Sequence, residues 1–140
     1  MHVCVIDLDA SRAAHLEPAG HVRCMGQGAQ LVVPEHLGTY AFTEVAVGVN
    51  HVCALRVGGE GRQPGGRGAC WGNDNGNQFG QISKVPELDV HSLCAGSYYS
   101  CALTLGSTAG DRDRLVCWGE SEMVRAVERG AAGREVCVVG

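Results

Sequence analysis

Cysteine and histidine are the residues of this chain whose types and spacing best suit chemistry. The 140 residues include eight cysteines and six histidines. Seven of the cysteines fall in recurring sequence contexts, namely Cys4, Cys24, Cys53, Cys70, Cys101, Cys117 and Cys137. Cysteine side chains can pair as disulfides, bind zinc as thiolates, or lie buried as small apolar groups. Zinc is disfavoured because the chain has no Cys-x-x-Cys pair and its His-x-Cys elements lie in separate repeats. Disulfides and buried thiols both remain open at this stage.

The contexts of the cysteines define an internal repeat. Cys-Ala-Leu begins at Cys53 and again at Cys101, an offset of 48 residues, and Cys-Trp-Gly begins at Cys70 and again at Cys117, an offset of 47 residues. Two separate landmarks that return with one period indicate a repeat protein.

Weaker copies flank this strong pair. His2–Ile6 and His21–Gly26 match the same two landmarks near the start of the chain, and Arg134–Val139 matches the first of them near the end. We therefore expect one domain made of blade-like repeats at about 1–39, 40–87 and 88–123, with the start of a degenerate fourth unit at 124–140.

Short strands joined by tight turns are the predicted secondary structure. Valine-rich and alternating segments favour β-strands, and 21 glycines among 140 residues suit many turns. The predicted strands lie at about 1–8, 21–26, 30–33, 43–47, 51–57, 68–72, 90–95, 100–105 and 115–119. Several short strands in each period describe the blade of a β-propeller. The predicted fold is all-β, a partial propeller of about three blades of antiparallel strands.

Paired strands within each blade would bring the cysteines together. Facing positions of antiparallel strands lie within the distance that a disulfide spans. The predicted pairs are Cys4 with Cys24, Cys53 with Cys70, and Cys101 with Cys117. Cys94 falls outside this scheme and Cys137 lacks a partner in it, and buried free thiols are the alternative. Disulfides indicate an extracellular or cell-surface location, although the N-terminal residues do not resemble a signal peptide.

A family resemblance follows from the segment after Cys70. It reads Cys-Trp-Gly-Asn-Asp-Asn-Gly-Asn-Gln-Phe-Gly and resembles the regulator of chromosome condensation repeat, in the cysteine-bearing version of bacterial surface proteins and plant receptor-kinase ectodomains. The third copy departs from this pattern after Gly119, where Glu-Ser-Glu follows. Family members form seven-bladed propellers. The resemblance therefore implies a fragment or open arc, completed by further blades or by another chain.

Composition argues against several classes of function. The net charge is −4 and Lys84 is the single lysine, so the sequence has no basic stripe for nucleic acid. Its apolar runs are too short for membrane insertion. The turn Asn73–Asn77 lacks the glycine and glutamate of a calcium-binding EF-hand loop. No nucleophile motif is present, so we expect no catalytic residue, no cofactor and no bound metal.

The predicted function is a non-enzymatic repeat segment that presents a surface to a protein partner. The candidate interface residues are Tyr98, Tyr99, Arg62 and Arg67. A purely structural role is the alternative for the two tyrosines. The family resemblance adds two other functions, a guanine-nucleotide exchange factor for a small GTPase and a proteinaceous enzyme inhibitor. The sequence itself does not name a partner.

Overall fold

Eight β-strands form the chain in a computed structural model, and every pair of neighbouring strands runs antiparallel. The structure describes residues 3–7, 20–28, 32–38, 40–57, 66–72, 80–87, 89–104, 114–120, 122 and 124–125. The strands are β1 (Val3–Asp7), β2 (His21–Met25), β3 (Phe42–Val47), β4 (His51–Val57), β5 (Gly66–Gly72), β6 (Asp89–Ala95), β7 (Tyr99–Thr104) and β8 (Arg114–Gly119). The fold is therefore all-β, as the sequence predicts. Within the described residues, no helix is long and apolar enough to span a bilayer.

The strands group into three units in sequence order. The first unit is the two-stranded sheet β1–β2. The second unit, β3–β4–β5, and the third unit, β6–β7–β8, are successive meanders of one six-stranded sheet in the order β3–β4–β5–β6–β7–β8. The second and third units share only two facing pairs, Gly66 with Val90 and Arg67 with Asp89. A single bridge between Gly20 and Phe42 joins the first unit to the second in the same way. Each unit thus has its own ladder, which a short strand contact joins to the next unit and apolar side chains pack against it, so the chain is a partial propeller.

Two apolar cores hold successive units together. Alternate side chains of a strand point to opposite faces, so each complete unit presents one face to either side. The core between the first and second units contains the buried residues Val22, Leu37, Phe42, Val52, Ala54 and Trp71. The core between the second and third units contains the buried residues Cys53, Leu55, Val90, Leu93, Ala102 and Trp118. Burial on both sides explains why the Cys-Trp-Gly strand β5 is apolar on both faces, with Trp71 in the first core and Cys70 packed against the second.

The strand predicted over 30–33 is not observed in its described half, residues 32–33, and residues 30–31 lie outside the described part of the chain. Val32 and Val33 lie outside any strand, and a 3₁₀ turn over Glu35–Leu37 follows them. The proline at position 34 cannot donate a ladder hydrogen bond, but its carbonyl accepts one from the backbone N–H of Leu37 at 2.9 Å. This turn directs Leu37 into the first core, so burial of leucine replaces the expected extension of the sheet.

The outer face of the first unit differs from the equivalent face of the second. Met25 occupies the place of Trp71 one repeat earlier, but Met25 is 64% exposed whereas Trp71 is buried. Val3 and Val5, which correspond to the buried Val52 and Ala54, are exposed as well. The second unit has a preceding unit against this face, and the first unit has none among the described residues.

Candidate binding surface

A buried histidine–serine pair is the described feature that most resembles catalytic machinery. Nε2 of His51, at the start of β4, shares a hydrogen bond of 2.8 Å with Oγ of Ser100 on β7. The same hydroxyl lies 3.4 Å from Sγ of Cys53. Histidine beside serine is the arrangement of a base and a nucleophile. The pair joins the second unit to the third, and sequence spacing alone did not indicate it.

The surroundings of this pair favour a packing role over a catalytic one. His51 and Ser100 both have 0% of their surface exposed, so no substrate reaches the hydroxyl. Burial lowers the pKa of His51 from 6.5 to about 4, and a backbone hydrogen bond at Tyr99 acts weakly in the opposite direction. In the described part of the chain, no carboxylate accompanies the His51 ring, and Nδ1 makes no hydrogen bond of good geometry. We therefore assign the pair to the packing of one unit on the next.

His51 and its counterpart Tyr99 fill the space above a glycine. In both units the backbone N–H of the glycine three residues earlier donates to the carbonyl of the ring residue, from Gly48 to His51 and from Gly96 to Tyr99, at 2.8 Å each. A Cβ added at Gly48 or Gly96 would overlap the ring of its partner. This shared turn explains how a histidine in one repeat and a tyrosine in the next can take the same position.

Replacing Gly48 by alanine should therefore destabilise the fold. The new methyl group must displace the His51 ring, and overpacking of this kind typically costs about 1–3 kcal/mol of unfolding free energy. Gly38→Ala is the matched control, because a Cβ there meets only the Glu35 carbonyl oxygen, at 3.3 Å. Urea denaturation of both variants checks this. Equal stability of the two variants would contradict the proposed contact.

The disulfide pairs occupy facing positions of the blade strands. Cys53 faces Cys70 across β4 and β5, with their Cα atoms 4.1 Å apart, and Cys101 faces Cys117 across β7 and β8 at the same separation. In the first unit Cys4 faces Cys24 at 4.0 Å. Each pair is a disulfide bond, so the buried-thiol alternative does not hold for these six residues.

Cys94, which the three predicted pairs do not include, is also disulfide-bonded. It faces Cys101 in the ladder between β6 and β7. However, Cys101 is bonded to Cys117, and Cys94 is itself disulfide-bonded to a partner outside the described residues. Cys94 thus belongs to none of the three predicted pairs, and it is not a free thiol. Cys137, which the sequence left without a partner, is outside the described part of the chain.

The residues predicted to form an interface do not lie together. Tyr98 and Tyr99 are half-buried at the turn between β6 and β7, whereas Arg67 is exposed on β5 and faces Asp89 at the opposite end of β6. Because β6 has seven residues, these two ends are roughly 20 Å apart. Arg62 lies outside the described residues, as does the turn Asn73–Asn77. Tyr98, Tyr99 and Arg67 thus belong to two different surfaces.

An exposed tyrosine, Tyr40, and a half-buried arginine, Arg56, accompany Arg67 at its end of the second unit. Cζ of Arg56 lies 4.4 Å from the centroid of the Tyr40 ring, so the guanidinium covers the face of the ring. Tyr40 remains 39% exposed. Arg56 faces Arg67 directly across β4 and β5, which places both side chains on one face of the unit. We call Tyr40, Arg56 and Arg67 the arginine patch.

Two residues of the arginine patch, Tyr40 and Arg56, were not predicted from the sequence as interface residues. Tyr40 precedes a strand by two residues, and Arg56 lies at the polar end of an otherwise apolar strand. A comparison of the repeats could have identified Arg56, because the equivalent residue is Asp7 in the first unit and Thr104 in the third. Because the charge at this position differs between the repeats, the shared blade structure does not require an arginine there.

The described residues offer no alternative metal centre. Among them, no three His, Cys, Asp or Glu side chains form a group that could hold a metal ion. The aromatic and guanidinium groups of the arginine patch can bind carboxylates, other anions and apolar side chains.

These features place the chain among the all-β propeller repeat proteins. No known protein-family profile matches the sequence. The chain is similar to the entire ectodomain of the receptor kinase CR4 from Physcomitrella patens, with 25% identity and a TM-score of 0.49, over 71% of this chain and 25% of that one. It is also similar to the CRINKLY WD40 ectodomain of the receptor kinase ACR4 from Arabidopsis thaliana, with 26% identity and a TM-score of 0.49, over 73% and 34% of the two chains.

The chain spans about a quarter to a third of the length of those two ectodomain chains. Both TM-scores are 0.49, so the architecture described above rests on the strand order and register of the chain itself and not on these two structures.

Proposed function

We propose that this chain is a non-enzymatic, disulfide-closed propeller segment that binds a protein partner. The observation that carries the proposal is the stacking of the Arg56 guanidinium on the exposed ring of Tyr40, at 4.4 Å. Tyrosine and arginine are enriched among the residues that dominate the binding energy of protein interfaces. An arginine held on a ring loses little further side-chain entropy when a partner binds.

The polar groups inside the fold support a binding role over a catalytic one. His51 and Ser100 hold the second and third units together. The carboxylate of Glu44 has a similar task, since its Oε2 accepts hydrogen bonds from the backbone N–H of Leu93 at 2.9 Å and from the hydroxyl of Ser92 at 3.3 Å. These groups stabilise the assembly of units, which leaves the side chains at the surface for recognition.

The disulfides support an extracellular or cell-surface location, because such bonds persist in oxidising compartments. The Cys-Trp-Gly motifs at Cys70 and Cys117 favour membership of the cysteine-bearing regulator of chromosome condensation repeats. Under that assignment, further blades or another chain complete the propeller. No specific observation favours the exchange-factor or enzyme-inhibitor function. Arg62, Tyr98 and Tyr99 remain proposed contributors at other parts of the surface.

An array of extracellular protein domains tests the proposal. We expect the oxidised chain to bind at least one of them in surface plasmon resonance, and Tyr40→Ala to weaken that binding about tenfold, as loss of an interface aromatic does. Reduction and alkylation of the chain should abolish binding by unfolding it. Failure to bind any domain, or equal binding by the reduced chain, would contradict the proposal.

A further inference from the structure

We propose that the arginine patch binds a carboxylate of an acidic segment in the partner, with Arg56 as its principal contact. The inference rests on the proposed protein-binding function and adds the chemistry of the partner. It is carried by the placement of two guanidinium groups on facing strand positions of a chain whose net charge is −4.

Two like charges at facing positions of a strand pair destabilise each other unless something neutralises them. Arg67 has a carboxylate nearby, because its Nε lies 3.5 Å from Oδ1 of Asp89. Both side chains are at least half exposed, so solvent weakens this ion pair. In the described part of the chain, Arg56 is instead placed against an uncharged ring. The patch therefore retains positive charge that a further carboxylate can neutralise.

The geometry at Arg56 favours a planar, two-oxygen acceptor. Stacking on Tyr40 uses the face of the guanidinium, while the N–H donors lie in the guanidinium plane and point away from its centre. A carboxylate accepts two parallel hydrogen bonds from such an edge. The tyrosine thus orients the arginine without consuming its donors.

The other units indicate that the patch is not needed to build a blade. The position of Arg56 is Asp7 in the first unit and Thr104 in the third. Asp7 forms an ion pair with Arg23 at 2.7 Å, and Thr104 donates from Oγ1 to the Arg114 carbonyl at 3.2 Å. These three arrangements serve the same strand position, and among the described residues only the second unit has a guanidinium there, stacked on a ring rather than facing a carboxylate.

Fluorescence anisotropy with labelled peptides tests this assignment directly. The probes are a short glutamate–glycine peptide and a glutamine–glycine peptide of the same length. We expect the glutamate peptide to bind at least tenfold more tightly than the glutamine peptide, and its affinity to fall as salt is added. Equal binding of the two peptides, or binding of neither, would overturn the proposal.

Variants of opposite expected effect sharpen the test. Arg56→Ala should weaken binding of the glutamate peptide about tenfold, and Arg56→Lys should recover only part of it because lysine lacks the two-donor edge. Asp89→Asn removes the competing carboxylate and should strengthen binding about threefold. Arg23→Ala is the control, since Arg23 is another exposed arginine with a carboxylate partner. Weaker binding by Asp89→Asn, or unchanged binding by Arg56→Ala, would contradict the site.

The carboxylate site and the protein-binding function are tested by different measurements. Near-ultraviolet circular dichroism of the tryptophans verifies that each variant is folded before its affinity is compared. If an extracellular domain binds the wild-type chain and binds Arg56→Ala equally well, the carboxylate site is wrong while the protein-binding function stands.

Discussion

Replacing both Cys53 and Cys70 by alanine should lower the free energy of unfolding by about 4 kcal/mol. The bond closes a loop with a sequence separation of 17, which contributes about 3 kcal/mol in the chain-entropy model. Cys53 is also fully buried between the second and third units, so losing its sulfur removes about 1 kcal/mol of packing. Urea denaturation of the oxidised protein measures the difference.

The pair Cys4 and Cys24 supplies a matched control. Its sequence separation is 20, so the loop term is nearly the same. Its side chains are only half-buried, and the loss should stay near 3 kcal/mol. An equal or larger loss for this control would show that burial of Cys53 between units adds nothing. Should the variant at Cys53 and Cys70 be unfolded in water, titration with a stabilising osmolyte places both variants on one scale.

Acid should destabilise the wild-type chain through His51, by about 3 kcal/mol between pH 6.5 and pH 4. Burial lowers the pKa of His51 to about 4 in the folded state, whereas its unperturbed value is 6.5. Between these values the unfolded chain binds more protons than the folded chain, so stability falls as the pH falls. Below about pH 4 both states are protonated and this contribution no longer changes. Denaturation curves at pH 7 and near pH 4 measure the effect.

Substitution of His51 separates this effect from the titration of carboxylates. His51→Gln keeps a group able to hydrogen-bond Ser100 but cannot titrate, so it should lose about 3 kcal/mol less than the wild type over the same range. His36→Gln, at an exposed position of the 3₁₀ turn, should retain the wild-type acid response. If His51→Gln does not fold, NMR titration of the wild-type His51 ring provides the same information. A midpoint near pH 6.5 would refute the buried environment.

The strand order and the disulfide register could be predicted because both depend on local periodicity. The repeat offsets of 47 and 48 residues fixed which cysteines fall on neighbouring strands. Once Cys53 faces Cys70, the alternation of side chains determines which residues of β4 and β5 share a face. The apolar character of Trp71 on one face and Cys70 on the other then required a neighbour on each side.

The arginine patch and the His51–Ser100 pair could not be predicted in the same way. Each brings together residues from different strands through the placement of one element against another, and sequence spacing does not encode that placement. The overlooked stack of Arg56 on Tyr40 joins a strand to the segment before another strand. At residues 32–33 the predicted strand did not form for a related reason, because the burial of Leu37 outweighed local strand preference.

The shared interiors between neighbouring units limit how the sequences of the repeats can diverge. Among the described residues, the two ladders meet at the facing pairs Gly66–Val90 and Arg67–Asp89, and side chains from both repeats fill the interior between them. A mutation in one repeat is therefore tolerated only if the facing side chains of its neighbour can accommodate it. Substitutions in neighbouring repeats must therefore be matched to each other. A single repeat moved into another protein would bring only its own side of each apolar core.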